Sequence, residues 1–547
     1  MKRRTYEKRI QHRRGESITS FFAVFFLIAI RFLYFGFQYF PQLDDYIQHH
    51  NYAAEGDLFY LIQKYGLLAA RPLAGVLDVT LWSWFWPCAI LGVLLLSVLY
   101  AITAVEFQKL FAKFFGTSPF FMVIFALLPL GMEGTYWMSA STRIIPGLFF
   151  VAFSANSFCK FLEHGKKRSF LFAFIFQLLS FCFYEQAAVL SCTFNILIGF
   201  LYIRESKQWF MSFSCVFVAA IYFLCTAIAG SSPLYDGRSN IILPFSSEYY
   251  TSFFPELLSQ LKSAFLGGGY YTFVYGFIRG IMQILRDGAW LWFLCLVCFC
   301  VFFGGAAYRM QRRLKGKYLL PFVFGVLLTL APLAPFFILE NPWFSFRGTV
   351  TSFVGIALLI DCGIRLVTRN SRSAIAVIGS LVACVFCICA VSEIADYRST
   401  YEADQRVVQT VSSLAKQHAK GSRVAIFNVD PSYVSEQNSR YHEHITGVTE
   451  SDWALTGAIR CYNNNPTEGI VYVPVSLKND PLYKPWNYAT MTIPSMDAIY
   501  LYDFENDSLE KLTVSYTGND HFELYFANGE KFGTIVEENK NGYFFEE

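Results

Sequence analysis

Two neighbouring carboxylates follow a long apolar segment of the chain. In the stretch FPQLDDYIQHH, Asp44 and Asp45 come directly before Tyr46. A carboxylate in this position could act as a general base that takes a proton from a hydroxyl group. The simpler interpretation is that one aspartate caps a turn or a helix. Two in succession, with Tyr46 and His49 in reach, favour a chemical role.

A second set of charged side chains lies at the predicted outer ends of apolar segments. A charge there costs free energy unless it meets water, a partner or a ligand. Arginine suits an anionic group such as phosphate, although a single arginine is more often a lipid anchor. The glutamates could instead cap a helix or bond a neighbouring one. The candidate ligands of a lipid phosphate or substrate are Arg71, Arg143, Arg279, Arg347, Glu133 and Glu185.

These residue types suit the transfer of a sugar from a lipid phosphate. A carboxylate would accept the proton of an acceptor hydroxyl, and guanidinium groups would stabilise the departing phosphate. We find neither a glycine-rich phosphate loop nor a dinucleotide fingerprint. No cofactor is therefore required. The carboxylates would suffice for a divalent cation, which the arginines make optional. We interpret His49 and His50 as a solvated pair, so no metal ligand is assigned.

The composition predicts an integral membrane protein. Of 547 residues, 54% are hydrophobic and 16% are charged, and several windows reach the roughly 20 apolar residues that a membrane helix needs. Arg31, inside the first such window, could reach outward or pair with Asp361 or Glu106. The positive residues lie in short loops between apolar segments, which excludes a nucleic-acid partner.

We predict about 11 transmembrane helices and an N-terminus in the cytoplasm, because lysine and arginine accumulate in alternate loops. The basic N-terminus is residues 1–17, and the transmembrane domain is 18–392. Its two large external loops, 41–86 and 230–288, are apolar enough to contain interfacial helices. The predicted spans are 18–40, 87–106, 118–132, 144–162, 169–184, 187–203, 209–229, 289–308, 318–339, 350–367 and 374–392.

The pattern changes after residue 392. Residues 393–547 contain 23 acidic and 12 basic side chains, about −11, which leaves about +14 for the rest of a chain whose total is +3. A polar helix is followed by the alternating runs RVAIFNV, GIVYVPV, AIYLYDF, LTVSY, FELYF and FGTIVEE, which predict strands. The fold class is therefore a polytopic α-helical membrane protein with a C-terminal, extracytoplasmic, mixed α/β domain.

The motifs LDDY, ARPL, YWMSAS and FCFYEQ, within residues 18–392, resemble the GT-C superfamily of polytopic glycosyltransferases. The closest members are bacterial enzymes of the glucosyltransferase, O-antigen or teichoic-acid modifying kind, which use polyprenyl-phosphate sugars. The resemblance implies that Asp44 or Asp45 is the base, with the first acid favoured. It implies phosphate binding by Arg279 and Arg347, with Arg71 and Arg143 next, and a place for Glu185 in the cavity.

We therefore expect a bacterial plasma-membrane enzyme that inverts the anomeric carbon. Its partners would be a polyprenyl-phosphate sugar, a cell-surface glycan and membrane lipid. One alternative is a flippase or transporter of lipid-linked saccharides, which would place polar groups at mid-bilayer. Another is a non-catalytic scaffold whose external domain binds a partner.

Overall fold

A computed structural model describes residues 2–47, 58–65, 68–229, 240–244, 246–311, 318–340, 344–432, 446–479, 492–518, 520–538 and 542–546. The chain divides into two compact units. The first contains Met1–Tyr39 and Ile62–Ile394, and the second contains Phe40–Leu61 and Ala395–Glu547. The beginning of the first predicted external loop thus belongs to the same unit as the C-terminal strands.

The first unit is helical. Each of the eleven predicted spans overlaps a helix, although the predicted span 18–40 extends eight residues past the end of helix Lys2–Phe32. The main helices are Lys2–Phe32, Pro72–Thr80, Ala89–Phe114, Phe120–Leu127, Met138–His164, Lys167–Phe181, Glu185–Leu201, Ser214–Ala229, Phe254–Lys262, Gly276–Arg286, Trp290–Met310, Leu319–Leu330, Phe353–Val367 and the first part of Arg372–Ser412.

Eight helical segments in the described part of the chain are long and apolar enough to cross a membrane. Phe120–Thr135 and Glu185–Leu201 are apolar but shorter. The helices therefore support a membrane protein, and the number eleven stays a prediction. The eight segments are Gly15–Phe32, Trp82–Phe114, Met138–His164, Trp209–Thr226, Trp290–Met310, Leu319–Phe337, Phe346–Val367 and Arg372–Lys416.

Small residues allow close contact between helices Leu319–Leu330 and Phe353–Val367. A Cβ atom on Gly355 would lie 2.3 Å from the backbone nitrogen of Thr329 and 2.5 Å from the carbonyl oxygen of Gly325. Glycine is therefore required there, as is common where membrane helices pack. Both large predicted external loops also contain helices, among them Pro72–Thr80 in the first loop and Gly276–Arg286 in the second. Their interfacial position stays a prediction.

The second unit is built on a seven-stranded mixed sheet with strand order β2-β1-β3-β4-β5-β6-β7. β1 is parallel to β2 and β3, and the pairs from β3 to β7 are antiparallel. The helix Asp452–Tyr462 lies between β1 and β2 in the chain. The strands are β1 (Arg423–Phe427), β2 (Val471–Val475), β3 (Ala498–Asp503), β4 (Ser508–Gly518), β5 (His521–Tyr525), β6 (Lys531–Glu538) and β7 (Gly542–Glu546).

One apolar core joins the two ends of the sheet. Phe427 of β1 and Val475 of β2 belong to the same buried cluster as Leu512, Ile535 and Phe545. The six predicted strand segments all contain strands, so the mixed α/β prediction is confirmed at this level. β7 was not predicted from the sequence.

Candidate active site

Arg71 and Glu185 form an ion pair in the first unit. Arg71 precedes helix Pro72–Thr80, and Glu185 begins helix Glu185–Leu201, where the helix dipole favours a carboxylate. Nε of Arg71 donates to both carboxylate oxygens of Glu185, at 2.8 and 3.0 Å. The guanidinium carbon lies 4.8 Å from the ring centroid of Tyr184. Two predicted site residues are thus in direct contact.

Arg143 pairs with Asp78, which was not among the candidate ligands. Nη2 of Arg143 donates to Oδ2 of Asp78 at 2.6 Å, and Nη1 donates to the carbonyl of Ser139. Asp78 is 4% exposed. Burial raises the pKa of Asp78 above its usual range, while the charge of Arg143 opposes that rise. Arg143 is therefore held by a carboxylate from the first predicted external loop.

Glu133 holds the segment that contains Arg347. Its carboxylate accepts hydrogen bonds from the backbone N–H of Arg347 and the hydroxyl of Ser345, each at 3.2 Å. Nε of Arg347 lies 3.8 Å from Oε1 of Glu133, whose side chain is fully buried. The guanidinium carbon of Arg347 is 5.6 Å from a ring centroid of Trp137. Glu133 thus binds a neighbouring segment instead of serving only as a helix cap.

Two glycines explain how this contact forms. A Cβ on Gly131 would lie 2.8 Å from Cγ2 of Val350, and one on Gly134 would lie 2.7 Å from the same atom and 3.3 Å from Cα of Arg347. The two separations from Val350 are shorter than real Cβ contacts, and the separation from Arg347 is tight. Glycine at both positions therefore lets the backbone around Glu133 lie against Val350 and close to Arg347.

The pairs also act on one another electrostatically. The buried hydroxyl of Tyr184 lies close enough to four charged side chains for each of them to act on its ionisation; they are Arg71, Arg347, Glu185 and Glu133. Both Arg71 and Arg143 influence Asp78 and Glu185. We call this set the paired-charge cluster: Arg71, Arg143 and Arg347 with Asp78, Glu133 and Glu185.

Arg279 lies in a different environment. It belongs to helix Gly276–Arg286, and its Nη1 donates to the hydroxyl of Tyr271 at 2.8 Å. Its guanidinium carbon is 5.6 Å from the ring centroids of both Tyr271 and Tyr275. The contacts described for Arg279 are therefore with aromatic side chains of its own segment.

In the second unit, Asp45 has a structural task. Its Oδ2 accepts the backbone N–H of Gln42 at 3.1 Å, and its own N–H donates to the carbonyl of Gln42 at 2.8 Å. The side-chain amide of Gln42 donates to the carbonyl of Tyr397 at 2.8 Å. Asp45 is 2% exposed. The capping interpretation thus fits Asp45.

Asp44 is only partly buried and acts on a second carboxyl group, that of Glu450. Burial, and then the negative charge of Asp44, raise the pKa of Glu450 to about 8. The hydroxyl of Thr446 donates to Glu450. Leu43, directly before Asp44, has a φ of 25°, a conformation that is strained for leucine. The charge of a partly exposed carboxylate therefore acts on a carboxyl group that tends to keep its proton.

The turn Leu43–Tyr46 packs against helix Asp452–Tyr462. A Cβ on Gly457 would lie 2.5 Å from the carbonyl oxygen of Tyr46, and Tyr46 is 3% exposed. The position of Asp44 thus depends on a glycine more than 400 residues later in the sequence.

Arg31 pairs with neither predicted partner. Asp361 pairs with Arg365 at 3.1 Å, and Glu106 pairs with Lys109 at 2.6 Å. Arg31 is 1% exposed, and its Nε and Nη2 lack a hydrogen-bond partner among the described residues. Arg31 is not a member of the paired-charge cluster.

The part of the chain that the structure describes contains no group of three or more His, Cys, Asp or Glu side chains that could hold a metal ion. His49 and His50 lie outside the described residues. Compared with family models, curated proteins and solved structures, the chain matches none of them. A functional assignment therefore depends on the residues and contacts above.

Sequence reasoning missed Asp78 and Glu450 as members of the site. Asp78 was visible in the sequence among the charges at the predicted outer ends of apolar segments, but it was not assigned as a ligand and its pairing with Arg143 was not predicted. Glu450 gave no signal, because nothing in the sequence links it to Asp44.

Proposed function

We propose that the protein is a membrane glycosyltransferase that moves a sugar from a polyprenyl-phosphate donor to a cell-surface glycan outside a bacterial plasma membrane. The observation that supports it best is the difference between the two aspartates. Asp45 is buried in a backbone cap, whereas Asp44 is partly exposed and its charge acts on Glu450. Asp44 is therefore the carboxylate assigned as the base.

In the proposed step, the carboxylate of Asp44 accepts the proton of an acceptor hydroxyl. The acceptor oxygen forms a bond to the anomeric carbon, and the bond from that carbon to the phosphate oxygen breaks. The electron pair leaves with the polyprenyl phosphate. One displacement inverts the anomeric carbon, and no covalent sugar–enzyme intermediate is needed.

The paired-charge cluster is assigned to the phosphate. Its carboxylates fix the guanidinium groups, and the side chains of Arg71 and Arg347 remain 25% and 28% exposed. Fixed donors stabilise developing charge without reorganising during the reaction. Because the described pairs balance the arginine charges, recognition would depend on directed N–H donors more than on net positive charge.

The location of two buried arginines favours the transferase over the flippase alternative. Arg31 lies in the last turn of helix Lys2–Phe32, and Arg365 lies in the last turn of helix Phe353–Val367, where it pairs with Asp361 one turn earlier. Both arginines are near helix ends, whereas a transporter would need polar groups near the middle of the bilayer.

The decisive experiment compares surface glycans by mass spectrometry in cells with and without the protein. Loss of one sugar on deletion, restored by the wild-type chain but not by Asp44→Asn, would support the proposal. Glu510→Gln, an exchange at an exposed acid in the same unit, is the matched control. Full transfer by a normally folded Asp44→Asn, Asp45→Asn double variant would exclude the proposed base and favour the scaffold alternative.

A further inference from the structure

The parallel strands of the second unit have their carboxyl ends along one edge of the sheet. The chain passes from β1 to β2 on one side and then crosses back to β3 on the other side of β1. In open parallel sheets, ligands bind outside the carboxyl ends of the strands where connections diverge in this way. The carboxyl end of β1 is therefore the expected place for a ligand.

Polar side chains follow β1 and β2 at this edge. Asp430 accepts the hydroxyl of Ser476 at 2.6 Å and pairs with Nζ of Lys478 at 2.8 Å. The amide of Asn428 donates to the carbonyl of Tyr502 at 3.0 Å, which joins the edge to β3. The side chains of Lys478 and Asp430 are 53% and 30% exposed. These groups can donate and accept hydrogen bonds at the surface.

An exposed aromatic ring follows β3. Phe504 is 52% exposed and lies edge-on to Tyr502, with 4.7 Å between the ring centroids. Its turn is held by Asp503, whose Oδ1 accepts the backbone N–H of Glu505 at 2.8 Å. A ring fixed in this way offers an apolar surface beside polar groups, which is the combination that packs against a sugar ring.

We propose that this carboxyl edge of β1–β3 is a carbohydrate-binding surface. Phe504 stacks on a sugar ring, and Asn428, Asp430 and Lys478 bond its hydroxyl groups. We take the ligand to be the acceptor glycan, and that part of the inference rests on the proposed function.

Charge favours a sugar over other ligands. Residues 393–547 have a net charge of about −11, from 23 acidic and 12 basic side chains, which disfavours phosphate-rich ligands. Asp503, Glu505 and Asp507 surround Phe504 in sequence, so an anionic lipid surface is also disfavoured.

The test uses the full chain in detergent and, as the probe, surface polysaccharide extracted from cells that lack the protein. Phe504→Ala and Asp430→Asn are expected to bind the polysaccharide at least about tenfold more weakly, which corresponds to about 1.4 kcal/mol. Tyr462→Ala is the matched control, because Tyr462 is also an aromatic residue and is 50% exposed. Tyr462 ends the helix that precedes β2, so it lies toward the amino end of that strand and away from the proposed surface. Thermal midpoints check that the variants fold.

Unchanged polysaccharide binding by both folded variants would overturn the inference. The inference would also be overturned if Phe504→Ala lost binding to anionic lipid vesicles but kept its binding to polysaccharide. The proposed function fails separately, if Asp44→Asn still transfers sugar. If the chain binds polysaccharide but has no transferase activity, the carbohydrate-binding surface stands. Only the statement that its ligand is the acceptor of the transfer reaction would then be wrong.

Discussion

Nη2 of Arg143 donates a 2.6 Å hydrogen bond to Oδ2 of Asp78. The bond joins helix Met138–His164 to helix Pro72–Thr80, whose N-terminal neighbour is Arg71. The Arg143 and Asp78 side chains are only 18% and 5% exposed, so water does little to stabilise either charge alone. The arrangement of the paired-charge cluster therefore depends on a residue that is not expected to touch the substrate.

Asp78→Asn should destabilise the first unit. The exchange removes the anion beside a largely buried guanidinium, and breaking such a pair typically costs about 3 kcal/mol or more. We expect a lower thermal midpoint of the purified chain and reduced sugar transfer. Glu248→Gln, at an exposed acid of the same unit, should change neither. An Asp78→Asn protein as stable as wild type would mean that the pair contributes little.

Asp44 and Asp45 should give opposite results. Asp44→Asn keeps the turn and removes the base, so transfer should fall by about 100-fold or more, while the thermal midpoint should change less than in Asp45→Ala. Asp45→Ala loses the acceptor for the N–H of Gln42 and should lower the free energy of unfolding by about 1 kcal/mol, with part of the activity retained. Transfer assays and thermal melts on the same preparations separate the two effects. Equal loss of activity at unchanged stability would contradict these separate roles.

Gly457→Ala should displace the turn that contains Asp44. The added Cβ would meet the carbonyl oxygen of Tyr46 at 2.5 Å, which backbone atoms cannot accommodate without moving. We expect reduced stability and reduced transfer together. Gly363→Ala is the control, because a Cβ there has no neighbour within 4 Å. Normal activity of Gly457→Ala would show that the turn tolerates the shift.

Glu450 should make stability fall as the pH rises. Burial and Asp44 raise its pKa to about 8 from an ordinary value of 4.5. The folded state therefore keeps a proton that the unfolded state loses, and this contribution is full below pH 4.5 and lost as the pH passes through 8. Thermal midpoints of wild type should decline over that window, while Glu450→Gln should show a weaker decline. Parallel curves for the two proteins would exclude Glu450 as the titrating group.

The local sequence pattern predicted most of the helices and strands, because a membrane helix or an alternating strand is encoded by neighbouring residues. The failures are contacts between distant segments. The link between Tyr46 and Gly457 leaves no periodic signal, and neither does the pairing of Asp78 with Arg143. β7 was missed because GYFFE is short and lies beside acidic residues, so its pairing with β6 decides its structure.

The candidate site was partly predictable for the same reason. Charges at helix ends could be listed from the sequence, and Arg71, Arg143, Arg347, Glu133 and Glu185 do lie in one cluster. Which carboxylate holds which arginine, and the aromatic surroundings of Arg279, depend on packing.

The split second unit also has a consequence for biosynthesis. Phe40–Leu61 leaves the ribosome long before Ala395–Glu547 does, and all of the intervening helices are made in between. The turn that contains Asp44 cannot meet Gly457 until almost the whole chain exists. Partly synthesised chains would therefore lack the completed turn that holds Asp44, and under the proposed function they would not transfer sugar from a lipid-linked donor.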